Sequence, residues 1–249
     1  GFYDYLLLLP FLRERGNGEP IDVLVLGLGA GTTCRQYEHF FAPRNPVRID
    51  AVEIDPGVVE LGRRHFGLAE AALPGVTFHV ADGRAFLRAT NRRYDVVVID
   101  VFSHQLFVPF HMTTREFWTS VKDHMKPGAV VGMNVIVGAI PSRFLDSLEA
   151  TVAAVFGRAW HVRPPFAFNF ELMASRDGRL DLPAAAARLA GYPRPSPITE
   201  SESLTKLLGR ALAAMTRIVP SDGARVLTDD LAPTEQLMLG DMAHSWAVP

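Results

Sequence analysis

Four acids stand where apolar runs stop: Glu53, Asp55, Asp82 and Asp100. A carboxylate at a strand end can hold hydroxyls or amines, or take a proton from an attacking nucleophile. Glu53 follows a glycine-rich turn, Gly27-Leu28-Gly29-Ala30-Gly31, by ~20 residues, the spacing at which an acid meets the ribose hydroxyls of a nucleoside ligand. Its alternative is a helix-start carboxylate facing solvent. Asp82, followed by Gly83, could accept a hydrogen bond from an adenine amino group or cap the helix that begins at Arg84. Asp100 ends the run Tyr94-Asp95-Val96-Val97-Val98-Ile99 and has no helix behind it to cap. It precedes a mixed loop, Phe102-Ser103-His104-Gln105, that reads as a lid. A general base and an ion-pair partner are the two readings of Asp100. His104 and His111 flank the lid, as second bases or as polar loop residues. Asp229 and Asp230 could add acidity if the tail folds over the site, or start a helix with Pro233 and Glu235 in its first turn.

These side chains need a frame. Residues 23–26 form an apolar run that enters the glycine turn directly, as a strand buried on both faces does. The glycines permit positive φ and close approach of a ligand, and the N-terminus of the helix over 33–41 favours anionic or strongly polar groups. No Lys-Ser/Thr follows the glycines, which argues against a P-loop. Further strands are predicted over 47–54, 76–80, 94–101, 129–135, 158–162 and 168–174, the last two as a hairpin at the sheet edge. Helices alternate with them. The helix from Pro56 has Asp55 as N-cap and an inner side of Val58, Leu61 and Phe66. The others are short 84–89, then 113–125 ending in the turn Lys126-Pro127-Gly128, and 141–156 with an apolar stripe from Phe144 to Phe156. This alternation predicts an α/β fold with a mostly parallel, doubly wound, Rossmann-like sheet of seven strands.

Residues 1–20 read as a helical lead-in, with Pro10 near a break and a turn at Gly16-Asn17-Gly18, and 21–176 as the nucleoside-binding unit. Residues 177–249 read as a helical extension packed on the same unit. It holds a short alanine-rich helix, a stiff connector through Pro193, Pro195 and Pro197, and a capping box, Thr199-Glu200-Ser201-Glu202. The helix beyond the box carries Leu204, Leu207, Leu208, Leu212, Met215 and Val219 on one face.

The chain has 249 residues and a net charge of −2, so no electrostatic case exists for nucleic acid as a partner. Its single cysteine, Cys34, excludes an internal disulfide framework and reads as a packed side chain rather than a nucleophile. The scattered histidines show no metal-ligand spacing, so no metal is expected. No apolar segment is long enough to span a bilayer, and Leu6 to Leu9 lacks the flanks of a signal peptide. The first residue is Gly1, not Met, so either an excised piece of a longer chain or a processed chain is expected.

The strings G-L-G-A-G-T, A-V-E-I-D-P, A-D-G-R-A-F-L and Y-D-V-V-V-I-D together resemble the spermidine synthase (polyamine aminopropyltransferase) family, within the class I S-adenosylmethionine-dependent methyltransferase fold. V-P-F-H-M-T-T-R-E-F-W and L-T-D-D-L-A-P-T-E resemble the branch often attached to transporter-like membrane segments. The likeness covers residues 5–174 and 227–237. It implies that Gly27, Gly29, Ala30 and Gly31 line a sulfonium nucleoside, S-adenosylmethionine or its decarboxylated form. Glu53, with Ile54 beside it, would hold the ribose, and Asp82 and Gly83 would face the adenine. Asp100 would take the proton of the attacking amine, with Ser103, His104, Asp229 and Asp230 on the acceptor side.

Three departures stand out. Ala30 and Ser103 occupy positions where the family usually carries Asp, and the family's N-terminal β-hairpin domain does not precede Phe2. A charge pair at about 4 Å is worth about 4 kcal/mol at an effective dielectric of 20, before desolvation. Losing it at position 30 removes a hold on a cationic donor tail and a repulsion of the carboxylate of intact S-adenosylmethionine. Aminopropyl transfer to an amine, a polyamine among the acceptors, is therefore the first expectation. Methyl transfer to a small molecule is the second. The third is a non-catalytic nucleoside-binding domain of a membrane protein. The expected location is cytoplasmic, alone or as the cytosolic part of a membrane protein, and the expected state is monomer or homodimer.

Overall fold

A computed structural model describes residues 2–14, 19–68, 73–103, 107–165, 167–192 and 198–246. Eight strands form one sheet: β1 (Ile21–Leu26), β2 (Val47–Glu53), β3 (Val76–Val80), β4 (Tyr94–Ile99), β5 (Met125–Ile136), β6 (Trp160–Val162), β7 (Asn169–Ser175) and β8 (Thr216–Arg217). Their order is β3-β2-β1-β4-β5-β7-β6-β8. The first five run parallel, and β7 inserts antiparallel between β5 and β6. The doubly wound parallel sheet expected from the sequence is the one found, with one more strand than expected. The addition, β8, pairs with β6 through Trp160 and His161.

β1 and β4 are buried at every residue because apolar layers cover both faces. On one face lie a 3-10 helix (Phe2–Leu8), α1 (Leu9–Leu12), α2 (Thr32–Phe41), α3 (Pro56–His65), α7 (Leu182–Ala190) and α8 (Ile198–Ala213). The other carries α4 (Gly83–Ala89), α5 (Arg115–Asp123), α6 (Arg143–Phe156) and α9 (Thr234–Trp246). No helix among the described residues is long and apolar enough to cross a membrane.

Charges at the amino ends of the strands are matched within the protein. Lys126 Nζ lies 2.7 Å from Asp95 and also pairs with Asp22, whose Oδ1 is 2.7 Å from Arg48 Nε. Asp50 takes the Tyr94 hydroxyl at 2.8 Å and Arg92 at 2.6 Å. The ionisable residues inside β1, β2 and β4 therefore have opposite charges or hydrogen-bond partners beside them, which is the condition for burying them.

Several local expectations are corrected. Pro10 does not break a helix; it opens α1 after the 3-10 turn. Lys126-Pro127-Gly128 is no separate turn but part of β5. Its register against β4 shifts between Tyr94 and Val96, the irregularity that accommodates a proline in an inner strand. On α3 the inward residues are Val59 and Gly62, while Leu61 and Phe66 are 54% and 51% exposed. Gly62 faces Leu68, whose side chain would meet an added Cβ at 2.4 Å, and this contact sets the rotation of the helix. Val219 is exposed because α8 ends at Ala213 and the chain leaves through β8. The turn at 16–18, the prolines at 193–197, the capping-box side chains and His104 lie outside the described residues.

Candidate active site

The carboxyl ends of β1, β2, β3 and β4 open into a cleft of about 340 Å³. Gly27, Gly29, Glu53, Ile54, Asp82, Gly83 and Asp100 line it, with Val58, Val101, Phe102, Pro109, His111 and Met112 among the apolar and loop walls. The strand order reverses between β1 and β4, which puts the cleft at the switch point where open α/β sheets bind ligands.

The glycine turn is built by contacts only glycine allows. Gly27 has φ +88°, and an added Cβ would lie 2.1 Å from the Asp100 carbonyl oxygen. Gly31, at φ +73°, leads into α2, and its Cβ would strike Leu68. Glu53 reaches into this turn: Oε2 accepts the N–H groups of Leu28 at 3.1 Å and Gly29 at 3.4 Å, and Oε1 accepts Asp55 N–H at 3.0 Å. Glu53 is thus held by the turn rather than turned out to solvent. Asp55 caps α3 through Gly57 N–H at 2.7 Å.

Asp82 does two things at once. Oδ1 accepts Ala85 N–H at 2.8 Å, capping α4, and Oδ2 lies 3.0 Å from His111 Nε2. Partial burial works to raise its carboxyl, but the hydrogen bonds from Ala85 and His111 outweigh that and hold it below the usual carboxylate range. The His111 carbonyl accepts from Arg84 at 3.0 Å, so this wall residue is fixed by ring and backbone together.

Asp100 lies just beyond the end of β4, and its Oδ1 accepts Asn134 Nδ2 at 2.9 Å. Asn134 Oδ1 in turn accepts Asn169 Nδ2 at 2.7 Å, so the amide is oriented from both sides. Burial raises the Asp100 carboxyl above its ordinary value, and the bond from Asn134 offsets only part of this. The amides were not anticipated from the sequence. The available signal was a lone Asn in the otherwise apolar stretch Met133-Asn134-Val135-Ile136.

Other expected positions lie off the cleft. Ala30 offers only its carbonyl, to Arg35 at 2.7 Å. Ser103 folds onto its own loop, bridging to Phe107 through N–H···O contacts of 2.7 and 3.0 Å. Asp229 clamps Arg84, accepting from Nη1 at 2.7 Å and also pairing with Nη2, and it takes the Thr114 hydroxyl at 2.7 Å. Asp229 and Asp230 sit in a turn closed by the Thr228–Leu231 bridge, away from the cleft lining. The tail is therefore a latch on the cleft wall rather than a lid over it. Arg84→Met is expected to cost about 1–2 kcal/mol, less than a buried pair, because the Asp229 carboxylate is 43% exposed and screened. The Arg84 bond is the main cause holding the Asp229 carboxyl low, against a smaller effect of burial. The stabilisation is thus present above the ordinary carboxylate pKa and lost as pH falls through the depressed value. Thermal melts of parent and variant across that acid range check both statements, and equal melting temperatures would remove the latch.

Cys34 is buried and its thiol is pushed up to about 12 by that burial, which fits a packing role. Among the described residues no group of three or more His, Cys, Asp or Glu is placed to hold a metal ion.

Comparison with known proteins adds four likenesses. Residues 9–156, more than half of the chain, match the spermine/spermidine synthase domain. A probable polyamine aminopropyl transferase of Bifidobacterium longum is 32% identical over 249 residues, which cover 95% of this chain and 52% of that protein. The chain thus spans about half the length of this relative. A probable spermidine synthase from Corynebacterium glutamicum superposes with a TM-score of 0.66 at 21% identity, covering 93% of this chain and 81% of the other. Human methyltransferase-like protein 13, solved in complex with SAH, superposes at 0.58 with 24% identity, covering 92% and 96%. At these identities the two structures speak to the fold.

Proposed function

Since the chain belongs to the spermine/spermidine synthase family, we propose that it transfers an aminopropyl group from decarboxylated S-adenosylmethionine to an amine of the polyamine class. The observation that carries this reading is Asp100: a largely buried carboxylate on the cleft lining, oriented by Asn134, with its proton affinity raised by burial. In this reading the nucleoside lies along the glycine turn. Its ribose takes over the Glu53 carboxylate, and its adenine meets Asp82 and Gly83.

An alkylamine has a solution pKa near that of lysine, ~10.4, and is mostly protonated at neutral pH. The Asp100 carboxylate attracts the ammonium and accepts one proton. The freed lone pair attacks the propyl carbon next to sulfur and a C–N bond forms. The C–S bond breaks with its electron pair going to sulfur, which leaves as a neutral thioether. The product nitrogen carries the positive charge that the sulfonium gave up. No general acid is needed at the leaving group, and among the described residues of the cleft lining there is no Lys or Arg for one.

Calorimetric titration with decarboxylated S-adenosylmethionine, intact S-adenosylmethionine and methylthioadenosine, followed by a transfer assay on diamines, tests this. Preferred binding of the decarboxylated form with aminopropyl product supports the proposal. Tighter binding of the intact form would turn the reading to methyl transfer, and no binding would point to a non-catalytic module. Within the same series, Glu53→Ala removes a carboxylate acceptor worth about 1.5–3 kcal/mol in hydrogen bonds to charged groups. Nucleoside affinity is then expected to fall about 10- to 100-fold. An unchanged affinity would take Glu53 out of the binding site.

A further inference from the structure

Both oxygens of the Asp82 carboxylate are already held by the protein. Oδ1 takes Ala85 N–H at 2.8 Å, and Oδ2 lies 3.0 Å from His111 Nε2. An ionised carboxylate only accepts, so the ring nitrogen is the donor. Each carboxylate oxygen has roughly two acceptor directions, which leaves one on each for a ligand. The Asp82 side chain is 32% exposed and lies with His111 on the cleft lining. Against the upward effect of burial, the Ala85 and His111 bonds hold its carboxyl low. The group facing the cleft is therefore an acceptor with a set direction. It suits a donor edge and repels an acceptor edge.

What sets that direction lies far off in the chain. His111 belongs to the 3-10 turn Phe110–Met112, and the residues that follow it are bonded one after another to the tail. Thr113 Oγ1 meets Thr234 Oγ1 at 3.0 Å, and the Thr114 hydroxyl donates to Asp229 at 2.7 Å. Arg115 N–H donates to the Leu227 carbonyl at 2.8 Å, and Glu116 accepts the Asp229 N–H at 3.0 Å. Thr113, Thr114 and Thr234 are fully buried, so water cannot replace these bonds. Arg84 completes the path. Its Nη1 donates both to the His111 carbonyl at 3.0 Å and to Asp229 at 2.7 Å. Arg84 sits in the first turn of α4, the helix that Asp82 caps. Asp82, His111 and Arg84 thus form a closed ring of bonds, and Asp229 fastens that ring to the tail.

We propose that His111 and the Arg84–Asp229 pair are positioning residues for base recognition: they aim the Asp82 carboxylate at the 6-amino group of a purine, so that the C-terminal tail sets which nucleoside the cleft accepts. His111 lines the cleft, whereas Arg84 and Asp229 do not and act through it. An Asp82 side chain free to turn about its last bond would keep the acid but lose the aim. A 6-oxo purine puts an acceptor where adenine has a donor, and an acceptor fixed against an acceptor is what rejects it. The assignment rests on the nucleoside reading above and adds the residues that make it selective.

Calorimetric affinities for methylthioadenosine and its 6-oxo analogue methylthioinosine read the aim as a ratio. The parent is expected to favour the 6-amino nucleoside. In His111→Phe, which keeps a ring but no donor, that ratio is expected to shrink at least about tenfold. The loss should fall on the 6-amino nucleoside, with the 6-oxo one bound no worse. A wall that was merely loosened would weaken both alike and leave the ratio unchanged. His111→Gln returns an N–H near the place of Nε2 and should restore most of the ratio. Asp229→Asn keeps the shape and weakens the hold on Arg84, so its ratio should fall in the same direction. The double variant of His111→Phe with Asp229→Asn should fall no further than His111→Phe alone, since one acts through the other. Melting temperatures report that the variants are folded. A parent that binds neither nucleoside would defeat the nucleoside reading and the positioning role together. A parent that binds both alike, or a His111→Phe variant that keeps the preference or loses both affinities in step, would overturn the positioning role and leave nucleoside binding standing.

Discussion

Asp100→Asn is expected to lower kcat/KM for an amine acceptor by roughly 100- to 10,000-fold, the range a positioned general base contributes. The substitution keeps the shape and an oxygen for the Asn134 N–H, now 2.9 Å from the carboxylate, so nucleoside affinity should stay near the parent's. The loss should therefore appear in kcat and not in donor binding. The pH profile gives a second reading. Burial raises the Asp100 carboxyl. In the proposed reaction the active form is the carboxylate, so the acid limb of the parent's rate should lie above the ordinary carboxylate range, with activity falling as pH drops through that raised value. Stability has the opposite sign. A carboxyl with raised proton affinity in the folded state favours folding fully below its unfolded pKa, and this contribution is lost as pH rises through the folded value. Asp100→Asn should thus melt at neutral pH no lower than the parent. Parental turnover in the variant, with intact nucleoside binding, would remove Asp100 from the chemistry.

Gly27→Ala is expected to be the most damaging small substitution in the molecule. Position 27 has φ +88°, and the new Cβ would sit 2.1 Å from a backbone oxygen, that of Asp100. The left-handed backbone alone costs a residue with a side chain about 1–3 kcal/mol. The contact cannot be relieved by a rotamer change, since the obstacle is main chain. A total of at least about 3 kcal/mol corresponds to a melting temperature lowered by roughly 6–12 °C in a chain of this size. Any relaxation would move the strand end that carries Asp100, so activity should fall with stability. Gly29→Ala is the control. At φ +49° an added Cβ meets nothing within 4 Å, leaving only the left-handed cost of about 1–2 kcal/mol. Equal melting temperatures for the two variants would contradict the role given to the turn.

Local signals carried much of this molecule. The run Val23 to Leu26, the glycines after it and the acid of Glu53 are neighbours in sequence and stay neighbours in space, so the strand, turn and cleft edge could be read directly. Asp55 and Asp82 cap the helices that follow them for the same reason. What escaped depends on crossings of the sheet. Asp82 meets His111 from 29 residues away, Asn134 meets Asp100 from 34, and Arg84 meets Asp229 from 145. No periodicity encodes such pairs. The two readings of Asp229, acceptor-side acid or helix start, both missed the clamp, because either could be framed without Arg84. The full burial of Glu171 in β7 escaped for a related reason, since its cover comes from the sequence-distant N-terminal 3-10 helix packed on its face of the sheet. Leu61 and Phe66 fit the helical stripe of α3, but the close contact of Gly62 with Leu68 turned a different face inward.

The tail latch bears on when the site can exist during synthesis. His111, on the cleft wall, is held by Arg84, and Arg84 is held by Asp229. Next to this, Arg115 N–H donates to the Leu227 carbonyl at 2.8 Å and Thr113 meets Thr234 at 3.0 Å. A chain emerging from the ribosome has the glycine turn, Glu53, Asp82 and Asp100 outside long before residues 227–234 are made. A domain generally folds as a unit, so the cleft wall at His111 is fixed only once residues 227–234 are out and docked. Completion of the cleft thereby becomes a late event, and a chain translated only as far as residue 226 holds Arg84 and the His111 wall without the Asp229 clamp.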